Sequence, residues 1–212
     1  MKQNWYEIKN QTSDNADVYI FNEIGTFGVT AQGFVNDIKD LDGQNITLHI
    51  NSVGGEVFEG MAIHSIIKNR KGNTKAYIEG IAASIATVVA LAADEVVMSE
   101  NSLFMVHNAW GGSSGDARDM RKQAEVLEKI TNEIADIYVK KTKRPYNEIV
   151  ELMDNETWMT AEEAYEFGFI DRVSDAVQVA AKADVSKFKN ITNAKVKEVL
   201  NNNLKNRKMT EE

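Results

Sequence analysis

The sequence predicts an α/β fold in which strands alternate with helices and most strands pair in parallel through right-handed crossovers. Three short apolar or alternating segments, at residues 46–50, 74–78 and 95–98, have the character of strands, and helix-forming segments separate them. Glycines such as Gly55 and Gly72 stand where one kind of segment passes into the next. A chain of 212 residues is long enough to enclose a sizeable core in one domain.

Two strands and one helix are predicted before the first of these segments. Residues 5–9 and 17–24 favour strands, and the second of them is rich in β-branched and aromatic residues. Apolar residues then recur at helical spacing over residues 30–41. Another amphipathic helix is predicted over residues 57–68, after the strand at 46–50.

The stretch from Ala76 to Ala93 organises the predicted site. It begins as an apolar strand, passes through Gly80 and continues as a helix-forming run of Ala, Val and Leu, with Ser84 at the join. The first N–H groups of a helix have no acceptor within the helix. A serine at this place therefore either caps the helix or acts as an acyl-transfer nucleophile beside amides that can hold an oxyanion.

Acyl transfer by serine also needs a base, and the chain contains three histidines. His49 lies within a predicted strand and His64 within a predicted helix. His107 follows an apolar strand at residues 103–106, and α/β folds place reactive groups at strand ends and in the loops after them. Position therefore makes His107 the best candidate for the base.

The turn at residues 51–55, Asn-Ser-Val-Gly-Gly, is a second candidate feature of the site. Paired glycines after a buried strand let the backbone approach a ligand closely and point N–H groups outward. The alternative is a tight turn between strand and helix that binds nothing.

Helices dominate the C-terminal half. Residues 116–143 form the longest periodic segment, and its helix either lies on its own sheet or packs against a partner subunit. Its apolar stripe of Leu127, Ile130, Ile134 and Ile137 is expected to be left partly exposed in a monomer. Further helices are predicted over residues 146–153 and over residues 160–167, where a capping box opens the helix and a glycine ends it. Residues 169–173 predict the last strand.

Composition excludes several classes of function. The absence of cysteine rules out disulfides, thiolate metal sites and a cysteine nucleophile. A net charge of −8 argues against a nucleic-acid partner, and the apolar run at residues 81–93 is too short to span a membrane. The N-terminal residues lack the apolar core of a signal peptide, so a cytoplasmic location is expected. No cofactor and no metal are expected.

Charge divides the chain into two parts. From residue 182 to the end, eight Lys and Arg residues stand against four Asp and Glu residues, so this segment carries +4 and the remainder −12. The sequence therefore predicts one folded domain over residues 1–176 and a basic, weakly ordered tail over residues 177–212.

Four motifs, in the same order and spacing, resemble the Clp protease proteolytic subunit (ClpP) family of serine peptidases. The turn at residues 51–55 is similar to that family's Asn-Ser-Pro-Gly-Gly oxyanion turn, and residues 80–84 are similar to its Gly-x-Ala-Ala-Ser nucleophile motif. Residues 104–107 resemble its strand ending in the catalytic histidine. Residues 158–171 resemble the segment that follows its third triad member. The likeness covers roughly residues 18–173.

The resemblance implies a fold, an activity and a set of roles. The fold is the ClpP/crotonase-like α/β fold of repeated ββα units with a protruding handle helix, here residues 116–143. Ser84 is implied as nucleophile, His107 as general base, and the amides of Gly55 and Ile85 as the oxyanion hole. The third member is implied to be Glu156, where the family has aspartate, and Asp154 is the alternative. Protein or peptide substrates and self-association into rings, two of them stacked, are also implied.

Departures from the family pattern bear on the biological role. Val53 replaces a proline, and Asn108 and Ala109 replace Gln-Pro after the histidine. The initial segment is short and unlike the family's axial gate. These features resemble the related proteases that tailed bacteriophages use in head maturation, which cleave scaffold or capsid protein in the assembling prohead. The alternatives are a housekeeping subunit beside a Clp ATPase, a crotonase-like acyl-CoA-binding enzyme, a peptidase with a Ser/Lys dyad, and a catalytically silent assembly protein.

Overall fold

The computed structural model describes residues 6–9, 11–12, 14–26, 28–176 and 197. Within these residues the chain forms eight strands and six α-helices around one sheet. The strands are β1 (Tyr6–Lys9), β2 (Asn15–Ile20), β3 (Asn45–Ser52), β4 (Thr74–Ala83), β5 (Glu95–Ser99), β6 (Leu103–Val106), β7 (Thr157–Thr160) and β8 (Arg172–Ser174). The helices are α1 (Ala31–Ile38), α2 (Val57–Asn69), α3 (Ile85–Ala90), α4 (Ala117–Thr142), α5 (Tyr146–Asp154) and α6 (Ala161–Phe167), with a short 3-10 turn, Lys39–Leu41, after α1.

The sheet is mixed and mostly parallel, which confirms the predicted fold class. The main path runs β1-β2-β3-β4-β5-β8, and every pair along it is parallel except β1 with β2. Strand β6 pairs with β4 in parallel, and β7 pairs with β6 antiparallel. Parallel neighbours joined by helices bring the carboxyl ends of β3, β4 and β6 to one edge, where ligands bind in folds of this kind.

Strand β4 is the longest of the described strands, and it pairs first with β5 and then with β6 along its length. Its first half pairs with β5, from Lys75 to Ile78, and its second half pairs with β6, from Ile81 to Ala83. The sheet therefore forks along β4, and Ser84 stands directly at the end of the branch that β6 joins. Because β6 pairs with this end of β4, residues that follow β6 lie next to Ser84.

The two faces of the sheet differ in burial, as alternation along a strand requires. Val18, Leu48 and Ile78 are fully buried under the helices, and they belong to one continuous apolar core. On the other face His49 stacks on Tyr19 at 4.3 Å between ring centroids. His49 therefore lies on the face away from the core, as its position in the strand predicts.

Most predicted elements are present, with shifts at their ends. Helix α6 begins after Thr160, whose side chain accepts from the amide of Glu163 while the Glu163 carboxylate accepts from the Thr160 amide, and it ends at Gly168 in the left-handed conformation. The predicted strand at 17–24 ends earlier, at Ile20, and the last strand is displaced to Arg172–Ser174. Strand β7 was not predicted.

The apolar stripe of α4 divides into two parts. Ile134, in the second half, is only 5% exposed and lies in the core of its own chain. Met120 and Val126, in the first half, are each 43% exposed. Leu127, Ile130 and Ile137 are half-buried, as a partly exposed stripe requires. The prediction is wrong at Ile134, because that turn of the helix covers α3 and its neighbours. The most exposed apolar side chains of α4 lie nearer its N-terminus.

One expectation falls almost wholly outside these observations. The predicted basic tail, residues 177–212, lies outside the described residues except for residue 197. Among the residues that are described, no helix combines the length and the apolar character needed to cross a membrane.

Candidate active site

Ser84 occupies a strained turn between β4 and α3. Its backbone has φ 56° and ψ −133°, a conformation that non-glycine residues rarely adopt. The Ser84 side chain makes no capping hydrogen bond with α3, so the helix-capping role that a serine often fills at this position is not what its hydroxyl does here. Instead, Ser84 Oγ lies 2.7 Å from Nε2 of His107.

The turn at residues 51–55 packs directly against the Ser84 turn. A Cβ atom at Gly54 would lie 2.6 Å from the carbonyl oxygen of Ala83 and 2.8 Å from Cβ of Ser84, and Gly54 has a positive φ of 86°. Only glycine fits such an approach without displacing the backbone. Gly54 is therefore required to bring the two predicted motifs together.

A buried pair of hydroxyl groups holds the carbonyl of Ser84. Thr87 Oγ1 donates to Ser84 O at 2.6 Å, and the hydroxyl of Tyr138 lies 2.6 Å from Thr87 Oγ1. Because Thr87 has already donated its proton, the Tyr138 hydroxyl is the donor in the second bond. Burial raises the pKa of Tyr138, against the opposing effect of the Thr87 hydrogen bond, so the phenol stays neutral and able to donate. Neither residue was identified from the sequence, because the bond joins α3 to α4 across 51 positions.

His107 reaches the serine because β6 pairs with the end of β4. Ala83 is the register partner of Met105, and the Ser84 amide donates to Met105 O at 3.0 Å. His107, just past the end of β6, thus stands beside the serine hydroxyl. Burial lowers the pKa of His107, and the nearby charge of Glu156 opposes part of that decrease.

Glu156 faces the other side of the His107 ring. The antiparallel ladder of β6 and β7 pairs Val106 with Thr157, so the next step along both strands places His107 opposite Glu156. Glu156 Oε2 lies 4.0 Å from His107 Nδ1, close enough for an ion pair but too long for a hydrogen bond. Glu156 has a positive φ of 48°, which is uncommon for glutamate.

Asp154, the alternative acid, is directed elsewhere. It is the last residue of α5, and its Oδ1 accepts a hydrogen bond of 2.7 Å from the side-chain amide of Asn108. The geometry therefore puts Glu156 rather than Asp154 beside the histidine ring.

Two backbone amides flank the serine. Ile24 N donates to Gly54 O and Glu56 N donates to Ile24 O, each at 2.8 Å, so the amide between them, that of Gly55, points away from Ile24. Ile85 is the first residue of α3, where an amide has no acceptor in the preceding turn. The Gly55 and Ile85 amides make no hydrogen bond within the described part of the chain.

These groups line one cavity of about 700 Å³. Its floor includes Ile134 and Tyr138 of α4, and Trp110, which is 73% exposed, lies at its rim. Glu23 and Glu56 also line it. A cavity of this size that contains a serine–histidine pair can hold several residues of an extended peptide.

The other two histidines lie away from the cavity. His49 Nδ1 lies 2.6 Å from Glu79 Oε1; burial lowers its pKa, but Glu79 and Asp17 outweigh that effect and raise it. His64 Nδ1 donates to the carbonyl of Val88 at 2.8 Å. Both histidines have structural partners, and neither lines the cavity with Ser84.

Comparisons with known proteins extend beyond the motifs. The protein-family model described as Clp protease matches residues 1–177. The ATP-dependent Clp protease proteolytic subunit of Deinococcus radiodurans is 32% identical over 151 residues, which are 68% of this chain and 74% of that protein. The family-model match thus includes the whole segment in which the serine, histidine and glutamate lie.

Proposed function

Because the chain belongs to the Clp protease family and is a serine-type endopeptidase, we propose that Ser84, His107 and Glu156 form its catalytic triad. The observation that carries the proposal is the 2.7 Å contact between His107 Nε2 and Ser84 Oγ. A nucleophile and base within hydrogen-bond reach, with an acid on the far side of the ring, have the arrangement that acyl transfer needs. An acyl-CoA-binding enzyme that relies on paired amides alone has no use for such a pair.

Each group takes one step of peptide hydrolysis. His107 Nε2 accepts the proton from Ser84 as Oγ attacks the carbonyl carbon, and the imidazolium then gives that proton to the leaving amine. The amides of Gly55 and Ile85 donate to the oxyanion of the tetrahedral intermediate. The same base next activates a water, which releases the acyl group from Ser84. Glu156 stabilises the imidazolium through its charge.

Activity should increase with pH across a midpoint below the ordinary histidine value of about 6.5. The base must be neutral to accept the serine proton, and burial lowers the pKa of His107, so the neutral form is reached at lower pH than in an exposed histidine. The measurement is kcat/KM for a fluorogenic peptide from pH 4.5 to 9.

His49→Gln and His64→Gln are the controls for this profile, since both histidines lie outside the cavity. They should leave the midpoint unchanged. A midpoint that moves with His64→Gln would assign the base to that residue instead.

We propose further that the chain assembles into two stacked rings through α4, with the serines facing an enclosed chamber. The supporting observation is the pair of apolar side chains, Met120 and Val126, that α4 leaves 43% exposed. Apolar surface of this kind, on a helix whose second half packs on α3 and α5 of its own chain, suits a contact with the same helix of another copy.

Replacing Met120 and Val126 together with aspartate should separate the rings into smaller species and lower peptidase activity. Charges buried in a symmetric contact are costly, and each substitution would occur on both sides of that contact. Mass photometry gives the assembly state directly. Arg121→Ala with Lys129→Ala, which changes the net charge of the same helix by the same amount, is the matched control. An intact double ring in the aspartate variant would contradict the role of α4.

The biological role that we propose is proteolytic maturation of a phage head, with scaffold or capsid protein as substrate, in the host cytoplasm or the assembling prohead. The support is the pattern of departures from the Clp proteolytic subunit pattern: Val53 in the oxyanion turn, Asn108 and Ala109 after the histidine, and a basic C-terminal segment on an acidic body.

Co-expression with the products of neighbouring genes tests this role. Wild-type protein should cut a structural neighbour at defined sites found by mass spectrometry, and Ser84→Ala protein should not. If no neighbour is cut and unfolded proteins are degraded only with a Clp ATPase present, the chain is a housekeeping subunit.

A further inference from the structure

A side-chain hydrogen bond joins the loop after the base to the turn before the acid. Asn108 follows His107 directly, and its Nδ2 donates to Asp154 Oδ1 at 2.7 Å. Asp154 ends α5, two residues before Glu156. The β6–β7 ladder stops at the pair Val106 and Thr157. The Asn108–Asp154 bond therefore continues the connection between the segment after β6 and the segment before β7 past the last pair of the ladder.

The turn that carries Glu156 is also held by contacts with its own helix. Glu156 N donates to Met153 O at 3.2 Å, and the Asn155 side chain donates to Glu151 O at 2.8 Å. These bonds fix the turn relative to α5, and the β6–β7 ladder sets His107 opposite Glu156. The Asn108–Asp154 bond adds a side-chain link between the two loops beyond the end of that ladder.

The other end of the link is also fixed. Ala109 N donates to Thr131 Oγ1 at 3.1 Å, which attaches the loop after His107 to α4. Asn108 itself is partly buried and lines the cavity, and its Oδ1 is buried. With Oδ1 directed inward, Nδ2 is the atom that faces the Asp154 carboxylate, which only accepts when ionised.

We propose that Asn108 and Asp154 are positioning residues that hold the Glu156 carboxylate at the His107 ring. The proposal rests on the roles proposed above for His107 and Glu156. Asp154 then acts as a hydrogen-bond acceptor and not as the acid of the triad. Glu156 Oε2 lies 4.0 Å from His107 Nδ1, so a small displacement of the turn that carries Glu156 changes the distance between its charge and the ring.

Two substitutions of Asp154 distinguish its role as a hydrogen-bond acceptor from the effect of its negative charge. Asp154→Asn removes the charge and keeps an oxygen that can accept from Asn108, whereas Asp154→Ala removes both. If Asp154 is a positioning residue, the asparagine variant should retain kcat within about twofold. The alanine variant should lose about 10- to 100-fold in kcat, the range that a small displacement of a catalytic group produces, with KM within about twofold.

Asn108→Ala should reproduce the loss in Asp154→Ala, and the double alanine variant should be no slower than the slower single variant, because both remove one bond. The charge of Glu156 raises the pKa of His107. Both alanine variants should therefore move the acid limb of the pH profile to lower pH, a shift that loss of folded protein does not produce. Thermal unfolding midpoints are measured in parallel.

Two results would overturn the proposal: an Asp154→Asn variant as slow as Asp154→Ala, or an Asp154→Ala variant that keeps wild-type kcat and pH profile. NMR titration of ¹³C-labelled histidine in a Ser84→Ala background follows the His107 pKa without turnover. An unchanged His107 pKa in Asn108→Ala would also refute the proposal. Failure of the triad assignment is distinguished by fluorophosphonate labelling of wild-type Ser84, which does not depend on Asn108.

Discussion

Replacing Ser84 with alanine should abolish peptide-bond hydrolysis and leave the fold in place. The variant lacks the oxygen that forms the acyl-enzyme, so the rate should decrease by at least about 10³-fold, to what binding and the oxyanion site provide alone. The loss of stability should be small. A lost helix cap costs about 0.5–2 kcal/mol, and the Ser84 side chain makes no capping bond here.

The measurement pairs peptide turnover with covalent labelling by a fluorophosphonate. Wild-type protein should be labelled at Ser84, and the alanine variant should be neither labelled nor active while its circular dichroism and assembly state remain unchanged. Ser65→Ala is the matched control, because Ser65 is exposed on α2 and its hydroxyl bonds only to Met61 O within that helix. Cleavage by Ser84→Ala at a comparable rate would refute the triad.

Elements with local signals could be predicted from the sequence. Helix α6 carries its own start and stop in Thr160, Glu163 and Gly168, and both ends were predicted correctly. The last strand was misplaced because Phe169 and Ile170 are apolar for a different reason. They are buried as core residues before the strand starts at Arg172. Apolar character reports burial, and strand pairing depends on partners that are distant in sequence.

The same limit applies to the site. Ser84 and His107 each follow a recognisable strand end. Because parallel strands end at the same edge of a sheet, their proximity could be anticipated. The contact between Thr87 and Tyr138 could not, since each residue fits an ordinary helical pattern and the bond between them spans two helices. The family resemblance already favoured Glu156 over Asp154. The geometric reason, the antiparallel register of β6 with β7, could not be anticipated, because the sequence did not reveal β7.

Glu156→Gln should lower kcat by about 10²- to 10⁴-fold, and more than Asp154→Asn does. The amide has the same length and the same backbone requirement at φ 48°, so only the charge that stabilises the imidazolium is lost. Burial already lowers the pKa of His107, and the Glu156 charge is what opposes that decrease. Without it the pKa falls further, so the acid limb of the pH profile should move to lower pH while the plateau drops.

This combination of a lower plateau and a limb at lower pH distinguishes loss of the acid from general damage to the site, which lowers the plateau alone. Glu156→Asp is the informative companion, because aspartate tolerates a positive φ better than glutamate but is one methylene shorter. From a starting separation of 4.0 Å, the shorter side chain should keep the charge near His107 and recover only part of the rate. A Glu156→Gln variant with wild-type kcat and an unmoved limb would remove Glu156 from the triad, and the Asp154 pair of variants would then decide whether any carboxylate supports the base.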